Sequence, residues 1–291
     1  CYLKRPFCDF ELTPTEYGAC VRLSFKKDFD RYLSVLPVKF NCEYEYDAEN
    51  NRLYCWTDCN QGRKTHDKGT LKGYYVFQFD SDSVDVDKIL VGSRDTADTK
   101  HSLKTVGEGT GIHIALKKKD VTFTVATSFI SYEQALRNLQ HDSVYGSFEA
   151  LKEENERIWN EYLSKIEIDA DEDTMKTFYS CMYRTFLYPH KAYEPDENGK
   201  PIHYSPSADK VLPGVRYTDN GFWDTYRTNY PFYSIIAKDI LPEIIEGYIQ
   251  DYIDGGWLPR WTAGDANNCM PSTGIGAGIA DGATRSLISK D

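Results

Sequence analysis

The chain has 291 residues, of which 41% are hydrophobic and 14% aromatic, enough for one large domain or two ordinary ones with buried cores. Its 45 acidic and 34 basic residues give a net charge of −11. This charge argues against nucleic acid and against an anionic membrane surface, because both attract basic proteins, whereas a neutral ligand such as a sugar is compatible with it. No apolar run is long enough to span a bilayer.

The eight cysteines do not fix the compartment. Six of them lie within the first 59 residues, where Cys55 and Cys59 form the one close pair. No second pair of Cys or His follows at a zinc-ligand spacing, so the sequence gives little support for zinc. Disulfides in an exported protein and free thiols in a cytoplasmic one are both consistent with the count.

Short β-rich runs separated by polar turns fill residues 1–130. In the run over residues 121–129, Val121 and Phe123 share one face and threonines lie between them, as expected for a half-buried strand. The charged segment before it, residues 117–120, is typical of a hairpin turn. Together these runs predict an antiparallel β-sandwich over residues 1–130.

The hydrophobic period then changes to that of helices. Ser131 is a predicted N-cap and Gln134 completes a capping box, and we interpret residues 131–168 as a helical linker. Farther on, apolar stripes at helical spacing predict paired helices, one stopped by Pro189 and another ending at Gly255 and Gly256.

Long loops join the predicted helices, notably residues 193–218, and loops of this length often carry function. Paired helices with long loops, following a sandwich, indicate an α/α toroid. The predicted fold is therefore α+β and multidomain, with an antiparallel β-sandwich followed by the first part of an (α/α)6 helical barrel over residues 169–291.

Residues 217–270 hold the densest set of groups suited to a sugar. A sugar presents an apolar C–H face and a ring of hydroxyls, which are recognised by an aromatic ring and by fixed carboxylate, guanidinium or amide groups. Trp223 and Asp224, with Arg227 one helical turn later, can supply these groups, and Arg227 can also orient the Asp224 carboxylate. The plainer alternative is an ion pair between Asp224 and Arg227 at the start of a helix.

Three further residues of this region are candidate substrate contacts, namely Trp257, Trp261 and Asp265. The two tryptophans equally suit a plug within a loop, and Asp265 after a glycine equally describes an ordinary turn. Cys269 has no neighbouring His, which makes it a poor candidate for a nucleophile. The sequence identifies no metal ligand, since the six histidines show no metal-binding spacing.

Six segments, in order along the chain, carry a family resemblance. The central one is Phe-Trp-Asp-Thr-Tyr-Arg at residues 222–227, and the other five are Gly-Trp-Leu-Pro-Arg-Trp at 256–261, Cys-Met at 269–270, and the stretches 128–139, 159–166 and 178–185. Together they cover most of residues 110–285. On these segments the chain resembles the middle part of the calcium-dependent exo-acting α-mannosidases of glycoside hydrolase family 92.

The resemblance implies an N-terminal β-sandwich, whose first strands are missing here, followed by an (α/α)6 barrel with the site between them. It implies removal of terminal α-linked mannose from N-glycans or glycoproteins with inversion of configuration, assisted by calcium. The family's catalytic carboxylates lie farther downstream, the base in a Gly-Asn-Asp-Asp-like segment that this chain lacks. We therefore expect the acid, the base and the calcium ligands to lie outside this chain, and the 291-residue piece alone to be inactive.

Three other functions were compared with this interpretation. The first is a non-catalytic carbohydrate-binding fragment or degenerate homologue, which would keep Trp223 and Asp224 but lack the acid and base. The second is another (α/α)6 glycosidase, such as a trehalase-like enzyme, which a Trp-Asp-x-x-Arg motif alone would allow but the ordered set of segments does not. The third is an amidase acting on glycoproteins, for which no Cys-His-Asp arrangement is apparent.

Overall fold

The computed structural model describes residues 1–36, 40–58, 71–93, 99–267, 269–271, 274–285 and 287–288. These residues form two compact units, the first within residues 1–59 and 72–155 and the second comprising residue 71 together with residues within 156–291. Antiparallel strands dominate the first unit, while helices and short antiparallel strands make up the second.

The described strands of the first unit arise from the short β-rich runs of the sequence. They are β1 (Tyr2–Leu3), β2 (Cys8–Pro14), β3 (Gly18–Phe25), β4 (Arg31–Val35), β5 (Asn41–Asp47), β6 (Arg52–Thr57), β7 (Gly73–Phe79), β8 (Leu90–Ser93), β9 (Lys100–His101), β10 (Lys104–Glu108), β11 (Thr110–Leu116) and β12 (Asp120–Ser128). Eight of them form one antiparallel sheet in the order β1-β2-β3-β12-β7-β6-β5-β10, and four form a second in the order β4-β11-β8-β9.

The two sheets share one hydrophobic core. Val21 and Phe123 enter it from the larger sheet, and Ile112 and Ile114 enter it from the smaller one. Val121 and Phe123 are both buried, as the alternation along β12 predicts. Each fully buried aliphatic or aromatic side chain contributes about 1.5–3 kcal/mol, so this core holds the unit together.

The hairpin predicted at residues 117–120 is wrong. β11 belongs to the four-stranded sheet and β12 to the eight-stranded sheet, so the segment between them crosses from one sheet to the other. Lys117 is held at this crossing, because its backbone N–H donates to Ser83 O and its carbonyl accepts from Arg31 Nη2, both at 2.8 Å. A local charge run does not encode the partner of the next strand, which depends on the whole core.

Helices α1 (Tyr132–Asp142) and α2 (Phe148–Leu163) follow the strands. The N-cap prediction is confirmed, because Ser131 Oγ accepts a hydrogen bond of 3.2 Å from the Gln134 backbone N–H. The Gln134 side chain donates to Asn138 Oδ1. Ala135 is buried in the cluster that joins α1 to the larger sheet, so this part of the predicted linker packs on the first unit.

The second unit combines helices with short ladders. Its described elements are α3 (Glu172–Thr185), β13 (His190–Lys191), β14 (Glu194–Pro195), β15 (Pro201–Ser205), β16 (Lys210–Pro213), β17 (Tyr217–Thr218), β18 (Asn220–Gly221), α4 (Phe222–Thr225), α5 (Asn229–Ile236), α6 (Leu241–Gly255), β19 (Trp261–Ala263), β20 (Asp265–Asn267) and α7 (Gly274–Thr284). The predicted stop of α6 is confirmed, because Gly256 caps it with a left-handed φ of 84°. The helix start considered at Asp224 is present, but α4 is only four residues long, and α5 was not predicted.

The predicted long loop over residues 193–218 contains regular structure. β14, β15 and β16 form a three-stranded antiparallel sheet, and β17 pairs with β13. The turn between β14 and β15 is closed by Asp196, whose carboxylate accepts from the backbone N–H groups of Asn198 and Lys200. The strands are only two to five residues long, too short for alternation to reveal them.

The cysteines within the described ranges all carry free thiols. The close pair that was weighed as a zinc site includes Cys59, which lies outside the described residues. In the same part of the chain, every helix is too short or too polar to cross a bilayer.

Candidate functional site

The segment from β17 to α4 is held between two ladders. On one side β17 pairs with β13, and on the other β18 pairs with β19, which places Gly221 opposite Trp261. Asp219 links the two ladders with a left-handed φ of 61°. The first residue of α4, Phe222, is fully buried and meets the Tyr248 ring edge-on, at 4.7 Å between centroids. This anchoring leaves the next two side chains, Trp223 and Asp224, exposed.

Asp224 and Trp261 both lie close to Gly221. A Cβ built on Gly221 would lie 3.3 Å from Asp224 Oδ2 and 3.4 Å from Trp261 Cδ1, so the carboxylate and the indole flank the same bare Cα. Within the described ranges the Asp224 carboxylate makes no hydrogen bond or ion pair, and the residue is exposed. An acceptor with unused lone pairs beside an aromatic ring is suited to hydroxyl groups of a ligand.

Arg227 does not orient Asp224, contrary to the sequence prediction. Its guanidinium lies over the Trp223 ring at 5.4 Å from the centroid and over the Tyr226 ring at 4.9 Å. As far as the structure describes the chain, no ion pair joins Arg227 to Asp224, which also removes the alternative of a helix-start pair. Cation–π stacking supplies about 0.5–1 kcal/mol at an exposed site and keeps the indole and the charge together.

The other two predicted contacts occupy different settings. Trp257 is 70% exposed and lines an apolar groove with Tyr252 and Ile279, so it is not a buried plug, and no described contact joins it to Asp224. Asp265 lies in the β19–β20 hairpin opposite Ala263, and its Oδ1 accepts from the Ala266 backbone N–H at 2.6 Å. The structure thus places Asp224 and Trp261 against the same glycine, Trp223 on α4 and Arg227 in the turn after α4, and leaves Trp257 apart.

Buried and half-buried polar groups that the sequence did not single out lie next to these residues. Asn220 donates from Nδ2 to Tyr230 Oη at 2.9 Å and accepts from Thr225 Oγ1 at 3.0 Å, which ties β18 to α4 and α5. Glu243 on α6 accepts from the hydroxyls of Tyr193 and Tyr217, each at 2.6 Å. Burial, together with the Glu243 carboxylate, raises the pKa of Tyr193 to about 12, so both hydroxyls stay protonated and donate.

A His–carboxylate pair lies at the corner of the same segment. His190 in β13 is opposite Thr218, and its Nδ1 is 2.9 Å from Asp219 Oδ2. The Tyr188 ring lies 4.8 Å from the imidazole. No local pattern pairs His190 with Asp219, because 29 residues separate them along the chain.

The calcium that the resemblance implies would need a cluster of oxygen ligands. Calcium takes about six to eight oxygen ligands, several of them usually carboxylates. Across the described ranges, no group of three or more His, Cys, Asp or Glu side chains converges as it would around an ion. Asp224 and Asp265 therefore lie here as separate carboxylates and not as members of such a group.

We expect Gly221→Ala to weaken ligand binding at this surface about two- to fivefold without unfolding the chain. The backbone at Gly221 is extended, with φ −98°, so alanine is not strained there. Its Cβ must instead displace Asp224 or Trp261 by a few tenths of an ångström, and misplacement on this scale is costly in a preorganised site. Sugar affinity measured by calorimetry tests this expectation.

Gly276→Ala in α7 is the matched control for that variant. A Cβ there meets no atom within 4 Å, and alanine favours a helix by about 0.5–1 kcal/mol. Its affinity should equal that of the wild type. Equal affinity for Gly221→Ala as well would mean that the groups flanking Gly221 do not contact the ligand.

The fold as a whole matches solved glycoside hydrolases. The structure superposes with a TM-score of 0.88 on a family GH92 inverting mannosidase from Bacteroides thetaiotaomicron, at 27% identity over 99% of this chain and 38% of that one. A family GH92 α-mannosidase from the same organism matches with a TM-score of 0.83 at 16% identity, over 100% of this chain and 40% of that one. This chain therefore spans about two fifths of the length of these solved relatives.

The family itself follows from the sequence comparison. Residues 134–289 match the model of the glycosyl hydrolase family 92 catalytic domain, which is more than half of the chain. No curated protein sequence matches the chain. The chain belongs to glycosyl hydrolase family 92, and its antiparallel sheets and helices agree with the solved structures of that family.

Proposed function

We propose that this chain is part of a glycoside hydrolase that removes terminal α-linked mannose from N-glycans or glycoproteins, in the manner of an α-1,2-mannosidase. The observation that carries the proposal is the exposed Asp224 carboxylate, which has no partner in the described part of the chain and lies beside the Trp261 indole. Family membership supports glycoside hydrolysis, and the solved relatives are mannosidases.

In this proposal four residues of the surface contact the sugar directly. Asp224 accepts hydrogen bonds from two hydroxyls of the terminal sugar, and Trp261 covers its C–H face. Trp223 and Arg227 form the stacked rim that limits where the ring can lie. Asp265 and Trp257 contact more distant parts of a glycan, and neither is required for binding of a single mannose.

The proposed reaction inverts the anomeric centre. Inversion needs a carboxylic acid and a carboxylate base about 6.5–9.5 Å apart, so that a water fits between the base and the sugar. We assign both groups, and the calcium ligands, to polypeptide outside this chain, and we divide the chain itself into a β-sandwich at residues 1–130, a helical linker at 131–168 and the first part of an (α/α)6 barrel at 169–291. The similarity to a GH92 mannosidase that is described as inverting supports the proposed inversion.

A non-catalytic carbohydrate-binding protein is the second candidate function. It is favoured by one observation, the lack of a Gly-Asn-Asp-Asp-like segment in the 291 residues. Both candidates predict that this chain binds mannose through Asp224. They differ in turnover of an aryl α-mannoside by the natural polypeptide that contains this chain.

We expect that polypeptide to release mannose from an aryl α-mannoside, and to lose at least about 90% of the activity in excess EDTA. Calcium would assist by gripping two sugar hydroxyls, which supplies charge stabilisation that side chains alone do not. Activity should return on adding calcium and not on adding an equal concentration of magnesium, because magnesium demands a smaller octahedral site.

Three results would count against parts of the proposal. Full activity in excess EDTA would show that the reaction does not need calcium. Release of glucose without mannose would contradict the proposed substrate, and mannose binding without turnover would favour the non-catalytic candidate. The 291-residue chain serves as the control, since we expect it to bind mannose without hydrolysing the glycoside. Hydrolysis by the chain alone would place the acid and base within it.

A further inference from the structure

The hairpin formed by β19 and β20 is pinned at its tip by buried groups from a distant part of the chain. The tip residue, Gly264, has a left-handed φ of 72°. Its backbone N–H donates to Thr218 Oγ1 at 2.8 Å, and its carbonyl accepts from Arg216 Nη2 at 2.9 Å. Both backbone groups of one turn residue are therefore satisfied by side chains that lie just before the Phe-Trp-Asp-Thr-Tyr-Arg motif.

Arg216 is itself held in a fixed position. The residue is 2% exposed, and its Nε donates to Asp251 Oδ1 on α6 at 2.9 Å. The guanidinium thus joins α6 to the hairpin tip with two hydrogen bonds from a planar group. Thr218 is 1% exposed, so water cannot easily replace its hydroxyl as the acceptor for Gly264.

The base of the hairpin is fixed by the same segment. The Asn220 backbone N–H donates to Thr262 Oγ1 at 3.2 Å, and Gly221 is opposite Trp261 in the ladder. Trp261 therefore belongs to a hairpin attached at both its tip and its base to residues 216–221. This attachment places the indole beside Gly221, which the Asp224 carboxylate also approaches.

We propose that Arg216 and Thr218 are positioning residues, which pin the turn at Gly264 and so hold the Trp261 indole beside the Asp224 carboxylate. The inference rests on the proposed function for its consequence in binding, but the pin itself is a property of the ligand-free protein. Neither side chain contacts the sugar. Loosening the pin lets the hairpin move, and the sugar loses one wall of its site.

Thr218→Val tests the pin with minimal change of shape, because valine replaces the hydroxyl with a methyl group and leaves the Gly264 N–H without an acceptor. Thr218→Ser keeps the hydroxyl and is the matched control. The chain is labelled with 5-fluorotryptophan, and the Trp261 signal in the 19F spectrum is assigned by its loss in Trp261→Phe. We expect this signal to shift or broaden in Thr218→Val and to stay at its wild-type position in Thr218→Ser.

Mannose affinity, measured by calorimetry on the same samples, gives the functional readout. We expect the Kd to rise about tenfold in Thr218→Val and less than about twofold in Thr218→Ser, since a displacement near 1 Å in a preorganised site costs this much or more. Arg216→Lys should behave like Thr218→Val, because lysine cannot donate in two fixed directions at once.

Amide hydrogen exchange of the wild type gives a test that needs no variant to fold. The Gly264 N–H should exchange far more slowly than in an unstructured peptide, because its acceptor is buried. Fast exchange of the Gly264 N–H would contradict the proposal. So would a folded Thr218→Val protein whose 19F signal and Kd equal those of the wild type. If the wild type binds no mannose while the Trp261 signal still responds to Thr218→Val, the proposed function fails and the pin stands.

Discussion

Asp224→Asn should lower kcat/KM for an α-mannoside by at least about tenfold, or roughly 1.4 kcal/mol of transition-state stabilisation. The amide keeps the size of the carboxylate but turns one acceptor oxygen into a donor and removes the charge. Hydrogen bonds to a charged group are worth about 1.5–3 kcal/mol each, and the proposed carboxylate accepts two of them. For the 291-residue chain the same change should raise the Kd for mannose by a similar factor.

The melting temperature should change little in this variant. Asp224 is exposed and its carboxylate has no partner in the described residues, so the fold does not depend on the charge. Asp281→Asn on α7 is the matched control, because Asp281 pairs with Arg285 in an exposed ion pair worth about 0–1 kcal/mol. It should leave both kcat/KM and Kd unchanged.

The two measurements together separate a binding role from a structural one. A structural Asp224 would give a lower melting temperature with an unchanged kcat/KM per folded molecule. An unchanged kcat/KM in a stable Asp224→Asn protein would mean that Asp224 does not contact the substrate. The proposed function would then lose the observation on which it depends.

Asp254→Ala should lower the free energy of unfolding by about 3–5 kcal/mol, the usual cost of breaking a buried pair. Asp254 on α6 faces His203, which is completely buried, and its Oδ2 lies 2.8 Å from His203 Nε2. The other imidazole nitrogen, Nδ1, is 2.9 Å from Gly214 O. Both nitrogens therefore face oxygen acceptors, and alanine would leave one of them, and the Gln250 side chain that donates to Asp254 Oδ1, without a partner.

The stability lost in Asp254→Ala should be larger at neutral pH than at acid pH. Burial raises the pKa of Asp254, but hydrogen bonds from His203, Gln250 and Ser205 outweigh it, so the pKa of the folded carboxyl lies below its usual value. A depressed pKa contributes stability above the unfolded pKa of about 3.9, and that stability is lost as the pH falls through the folded pKa. The wild-type advantage over Asp254→Ala should be full near neutral pH and should shrink below about pH 4.

Urea unfolding of both proteins between acid and neutral pH measures this difference. Glu246→Gln is the matched control, because Glu246 is an exposed carboxylate on the same helix and should change stability by less than about 0.5 kcal/mol. A difference between wild type and Asp254→Ala that stays constant as the pH falls would mean that the lost contact is not ionic. A difference below 1 kcal/mol at neutral pH would mean that His203 finds another partner.

The sequence by itself determined those features that depend on neighbours along the chain. Alternation placed Val121 and Phe123 in the core of the first unit, the hydroxyl of Ser131 capped α1, and the left-handed Gly256 ended α6. Each of these signals lies within a few residues of the structure it produces. The six ordered segments also identified the family, because such a set carries far more information than any one motif.

Only the tertiary structure decided how the site is assembled. Gly221 meets Trp261, and Thr218 meets Gly264, although each pair is separated by 40 residues or more. Arg227 stacks on Trp223 and not against Asp224, although its spacing from Asp224 along the chain allowed either contact. Helical spacing showed which side chains could meet within one turn, but strand pairing and core packing determine which of them do, and both depend on contacts that no local pattern encodes.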